Sequence, residues 1–394
     1  MLGVEQAGSF FLGMTILGLV SIVVRKGYEN TIVKYIAAKS SDIREASMIG
    51  QVYLRAISTL LKLGLPIVAI LLICAKFFSD HLFSVPDMYT VLVLVSISLI
   101  PYCVNVFSAK GMQGLGCSNW FIFYTSLCTP TVFLMLSAVF PINTASSAIL
   151  LYVIAIFFSA ITATTHFYWN KPHSKTKLGL SDSENRQIST VASRLFVVQL
   201  CAGVTQWACP LALGVVYSTS DVAIFSVSTR IAMLISFLLV AINAVVASKI
   251  SVAYKVGDID EIKHISKKSS LFLFSTATPI FFLICIYPDH VLSLFGEGFT
   301  SGKNCLIILA AGQYINVSTG SVGVMLQMTN GEDYLRLNSI ISALIALIGS
   351  LILVPVLGLI GGAISLALAW STQNLLGVFF VNKLLGFNTL VFWR

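Results

Sequence analysis

The chain is 394 residues long, 57% apolar and only 10% charged, with a formal net charge of +8 and a mean hydropathy of +0.91. A soluble domain carries about a quarter charged residues, so this composition excludes water as the main solvent. In hydrocarbon every backbone group must pair within the protein, so apolar runs of about 20 residues are spanning helices, and the lack of strand alternation excludes a barrel.

Apolar runs set against charged, Pro and Gly breaks predict five helices, over 8–24, 56–79, 88–108, 119–140 and 146–168. A polar linker over 170–187 follows. Six more helices are predicted over 192–216, 222–247, 270–288, 305–327, 338–355 and 359–381. The expected fold is an all-α polytopic membrane protein of about eleven transmembrane helices in two pseudo-symmetric bundles of five and six. Its expected parts are an N-terminal bundle over 1–169, a cytoplasmic linker over 170–189 and a C-terminal bundle over 190–394.

Alternate connections between these helices hold eighteen Lys and Arg residues on one side and only Lys76 and Lys303 on the other. By the positive-inside rule the first side is cytoplasmic, which puts the C-terminus inside and Met1 outside. The positive charge is thereby a sign of topology, and nucleic acid is not an expected partner. The first apolar run follows Glu5 with no basic segment or small-residue cleavage site, so it does not read as a signal peptide. The eight cysteines form no CxxC pair and have no partnering histidines, which makes them small core residues with no metal site or cofactor implied.

The two halves repeat at a nearly constant offset. Lys39, Asp42 and Glu45 recur as Lys255, Asp258 and Glu261, Pro66 as Pro279, Asn105 and Val106 as Asn316 and Val317, and Pro141 as Pro355. This pairs the helix at 8–24 with that at 222–247 and leaves 192–216 without a partner. The partner would lie upstream of Met1, so the chain is expected to lack a first helix present in its relatives, through a misplaced start codon, a truncation or a deletion.

The opening stretch LGVEQAGSFFLGMTILGLVSIVVRKGYENTIVKYIA resembles the second-helix region of polysaccharide-unit flippases, and GQYINVSTGSVGVMLQMTNGEDYLRLN and VPVLGLIGGAISLALAW resemble later stretches of that family. The family belongs to the multidrug/oligosaccharidyl-lipid/polysaccharide exporter superfamily, and the resemblance implies two helix bundles around a central cavity. It also implies translocation of undecaprenyl-pyrophosphate-linked oligosaccharide, such as O-antigen, across a bacterial inner membrane by alternating access. The lipid-linked oligosaccharide, membrane lipids, and the polysaccharide polymerase with its chain-length machinery are the implied partners.

Such a substrate is anionic at its head and needs cations and hydrogen-bonding groups within the spans. Arg230, about two turns into its helix, is the leading candidate. The plainer reading pairs it with Asp221 or lets it snorkel outward. Lys62 lies seven residues after Arg55 on the same helical face, with Arg55 and Arg194 reading as interface anchors. Gln199, Gln206, Asn243, Asn105 and Asn316 are candidates to line a sugar path, and each is equally suited to an interhelical hydrogen bond. Pro66 and Pro279 are candidate hinges, since each removes a helical hydrogen bond.

All sixteen acidic residues fall in loops or near helix ends. This weakens a coupling relay built on a midplane carboxylate, the arrangement expected of a drug or metabolite antiporter, which is the alternative function. There is no P-loop, HExxH or GxSxG motif, so the sequence does not read as an enzyme.

Overall fold

The computed structural model describes residues 3–40, 46–83, 87–171 and 182–389. Asp42, Glu45, Arg394 and most of the predicted linker lie outside the described residues. By contacts the chain divides into two units, Met1–Gly203 and Val204–Arg394.

The first unit begins with α1 (Val4–Arg25), α2 (Tyr28–Ser40) and α3 (Ala46–Phe77), the last extended by a π turn over Phe78–Phe83. It continues with α4 (Met88–Gly114), α5 (Ser118–Val139) and α6 (Ala145–Asn170), and takes in the first part of α7 (Asp182–Val216). α4 is the hub, packing against α1, α2, α3, α5 and α6. Its small residues permit this: a Cβ on Gly111 would stand 2.6 Å from the Phe167 ring, which in turn lies 4.7 Å from the ring of the fully buried Tyr53. Close approach of this kind lets helices pack where no water drives them together.

Three differences from the sequence reading fall here, the first being that α3 starts at Ala46, ten residues before its predicted run. The stretch after α1, expected as a connection, contains α2, whose Ile32 and Ile36 are wholly buried against α3 and α4. α7 starts ten residues before its predicted apolar run, because helical geometry continues through the polar segment SENRQISTVA.

The second unit takes in the rest of α7, then α8 (Thr219–Val256), α9 (Ile259–Ile286), α10 (Lys303–Ser318) and α11 (Val322–Met328). α10 is its hub. The repeat matches α4 with α10, so each unit is built around the helix that carries the repeated Asn-Val. α10 and α11 meet at a bend of 43° and are together long and apolar enough for one span, the chain turning at Gly320 with φ +74°.

The final helical stretch, Glu332–Leu385, has 54 residues and would run about 80 Å if straight, against about 30 Å of hydrocarbon. It breaks at Gly358, whose φ of 57° and ψ of −131° suit glycine alone. The chain then doubles back: Ser342 Oγ donates to Ala369 O at 3.1 Å and Asn338 Nδ2 to Gln373 O at 2.6 Å. The two arms, 332–357 and 359–385, are α12 and α13. Nine helices among the described residues are long and apolar enough to cross a membrane. With the bent pair as a tenth span and this hairpin counted as two, the chain has the eleven expected. The outer surface agrees: Ile73 is 80% and Val356 73% exposed, as suits a protein covered by lipid.

Candidate functional site

Arg230 lies on α8, about 16 Å along the helix from Thr219 and so near the middle of a spanning segment. It is exposed, on a face that continues through Met233, Leu234 and Phe237, the last 71% exposed. Directly after it the helix tightens into a 3-10 turn over Leu234–Ser236. The Ser236 hydroxyl donates to the Met233 carbonyl at 3.0 Å, offering the backbone a local partner in competition with the helical one. A 3-10 stretch in mid-helix is where an axis can bend. Asn243, further along α8, is half-buried, and its Oδ1 has no hydrogen-bond partner among the described residues.

α10 gathers the polar groups of the second unit. Asn316 Nδ2 donates to Gln313 Oε1 at 3.0 Å. Tyr314 lies in line with Phe281, ring centroids 4.5 Å apart, and its hydroxyl is 3.0 Å from that of Thr278. Thr278 precedes Pro279, so one candidate hinge sits beside a candidate binding residue's own helix. Gln206 is exposed in the second unit and Gln199 half-buried in the first.

In the first unit Arg55 and Lys62 share the exposed side of α3 with Pro66, about 10 Å separating the two cations along the axis. α3 and α9 run on through Pro66 and Pro279 as helix; among the described residues, departures from regular helix fall elsewhere, at the π turns Phe78–Phe83 and Phe123–Leu127 and at Leu234–Ser236, Gly320 and Gly358. Asn105 is placed differently from the other candidates. It is 4% exposed, receives the Ser159 hydroxyl at 3.1 Å and donates to the Tyr124 carbonyl at 3.2 Å. That carbonyl belongs to a π turn, Phe123–Leu127, where the wider helix frees it from regular pairing. Tyr53, Ser108 and Thr164 continue this interior network with bonds of 2.8 and 2.9 Å.

One charged group escaped the sequence reading. Glu29, in the segment expected as a loop, is 4% exposed and pairs with Arg25 at 2.5 Å, while Arg25 also donates to the Ser21 carbonyl at 3.2 Å. Burial pushes the Glu29 carboxyl above its ordinary range, and Arg25 and Lys110 pull the other way. The four-residue spacing of Arg25 and Glu29 was the available signal. The burial was not readable, because it depends on α2 folding against α4.

The apolar spans, a glycine-broken hairpin and a polar hub helix in each unit define an all-helical, multi-pass membrane protein. Over 98% of this chain and 91% of the other, it is similar to the inward-facing conformation of a multidrug resistance MATE family transporter of the MOP superfamily, with a TM-score of 0.78 and 16% identity. It is similar also to the lipid II flippase MurJ in its inward closed conformation, over 95% of this chain and 86% of that one, with a TM-score of 0.67 and 14% identity. Residues 1–247 match the family described as polysaccharide biosynthesis protein, and the chain belongs to that family. A curated relative, the probable low-salt glycan biosynthesis flippase Agl15 of Haloferax volcanii, is 22% identical over 217 residues, 55% of this chain and 46% of that protein. The match thus spans just under half the length of that relative.

Proposed function

We propose that the protein is a flippase that carries a lipid-linked oligosaccharide across the membrane by alternating access. The finer reading is an undecaprenyl-pyrophosphate-linked unit of O-antigen or another surface polysaccharide, moved across a bacterial inner membrane, with the C-terminus in the cytoplasm. The observation that carries this is the pairing of the family match with exposed cations inside spans, Arg230 on α8 and Lys62 on α3. A guanidinium at mid-depth costs several kcal/mol in lipid, which a hydrated path for an anionic headgroup offsets. Gln206, Asn316 and Asn243 would supply hydrogen bonds to sugar hydroxyls, and the 3-10 turn beside Arg230 would let α8 bend as the path opens. The interior bonding of Asn105 favours a structural role for it.

Drug or metabolite efflux is the second reading, supported by the likeness in fold to the MATE transporter. The two readings separate on Arg230. Under the flippase reading, Arg230→Ala abolishes surface polysaccharide at unchanged protein level, and Arg230→Lys retains part of it. Undiminished export by the alanine variant would remove Arg230 from the mechanism.

A further inference from the structure

The bend between α10 and α11 lies inside the second unit. Thr319, Gly320, Ser321 and Val322 are all buried, and no backbone N–H among the described residues donates to the Ser318 or Thr319 carbonyl. α9 packs on α10 and turns serines toward the bend: a Cβ on Gly320 would collide with the Ser270 hydroxyl, and Ser266 lies one turn earlier on the same helical face. Asn338 of α12 comes close as well. A Cβ on Gly377 would stand 2.8 Å from the Val322 side chain and 3.7 Å from Asn338 Nδ2.

The side-chain oxygens gathered there are unpaired. Ser266 Oγ, Ser270 Oγ, Ser321 Oγ and Asn338 Oδ1 have no hydrogen-bond partner among the described residues, and none of the four residues is more than 3% exposed. A serine within a helix ordinarily bonds back to a carbonyl three or four residues earlier, as Ser269 does to Ile265 O at 2.8 Å. Ser266 and Ser270, on the same helix, do not. A buried polar group left unpaired costs about 1–3 kcal/mol, so four of them beside two orphan carbonyls call for an occupant that takes oxygen lone pairs.

Chemistry narrows what that occupant is. Hydroxyl and amide oxygens do not titrate near neutral pH, so they do not hold a proton. The cluster contains no Asp or Glu, and no group of three His, Cys, Asp or Glu side chains able to hold a metal exists among the described residues, so nothing there balances a divalent ion. A monovalent cation on neutral oxygens remains. The C-terminal end of α10 carries the negative end of its dipole, and it is at such ends of broken spanning helices that carbonyls coordinate sodium. The closeness of Ser270 to Gly320 favours a small ion over a large one. We propose that this cluster binds one sodium ion, held by the Ser266, Ser270 and Ser321 hydroxyls and the carbonyl end of α10, with Asn338 Oδ1 completing the shell. The bound ion ties α9 and α12 to the bend. The inference does not depend on which substrate the protein moves.

The test is binding of radiolabelled sodium to the whole purified protein, with thermal unfolding in sodium chloride and in choline chloride at equal ionic strength. The wild type is expected to bind sodium saturably, to release it to unlabelled sodium more readily than to potassium, and to unfold at a higher midpoint in the sodium salt. Ser270→Ala/Ser321→Ala is expected to weaken binding about tenfold and to remove the difference between the salts. In choline its midpoint should be unchanged or higher, since an unpaired buried hydroxyl has been taken away. Ser275→Ala, whose exposed hydroxyl bonds to Phe272 O at 2.9 Å, is the control and should bind sodium as the wild type does. No saturable binding by the wild type would mean that the hydroxyls hold water alone and would overturn the proposal. So would equal displacement by potassium, undiminished binding by the double variant, or a double-variant midpoint lowered equally in both salts.

Discussion

Asn105 takes the Ser159 hydroxyl at 3.1 Å and gives its own amide to the Tyr124 carbonyl at 3.2 Å, so one side chain joins α4 to both α5 and α6. Among the described residues, the side chain of its repeat mate Asn316 bonds only to Gln313, on its own helix. The two asparagines occupy matching places in the repeat and have different work. Asn105→Ala is expected to lose about 1–2 kcal/mol, read as a lower unfolding midpoint in detergent. Asn316→Ala should leave that midpoint in place and reduce export. Equal midpoint shifts in the two variants would contradict this division.

Glu29 predicts a pH dependence. Its carboxyl is raised above the ordinary value of 4.5, so the folded protein holds this proton more tightly than the unfolded chain does. The resulting stabilisation is fully present below 4.5 and is lost as pH rises through the folded value. Unfolding midpoints should therefore fall as pH rises above that ordinary value, and Glu29→Gln should flatten the slope. An unchanged slope in the variant would assign the dependence to another group.

Gly358 turns the α12–α13 hairpin in a conformation closed to other residues. A Cβ there would also stand 3.2 Å from the Tyr217 ring, whose hydroxyl donates to Pro355 O at 3.2 Å. Gly358→Ala is expected to cost about 1–3 kcal/mol and to reduce the amount of folded protein in membranes. Gly323→Ala, which meets nothing within 4 Å in α11, is the control and should be neutral or slightly stabilising.

A null result is expected at the outer surface. Lys303 and Asp289 pair at 2.9 Å with both side chains about half exposed, and solvent screens such a pair to roughly 0–1 kcal/mol. Lys303→Gln should change neither the unfolding midpoint nor export, which a thermal melt and an export assay would check together.

What the amino-acid sequence determined by itself was the number of crossings, the repeat and the presence of cations within spans. Each is local: hydropathy over 20 residues locates a span, and a Pro or Gly next to an apolar run marks its end, as Gly358 does. The helix ends were less legible where polar segments stayed helical, as at the start of α7. Tertiary structure alone decided which polar side chains are bound into a bundle and which stay exposed. Asn105 is enclosed because Tyr124 and Ser159, 19 and 54 residues away, converge on it, and Glu29 is buried because α2 folds against α4. In a bundle held by interhelical bonds and close packing, a polar residue's role follows from the helix that meets it, and nothing in its own neighbourhood along the chain records which helix that is.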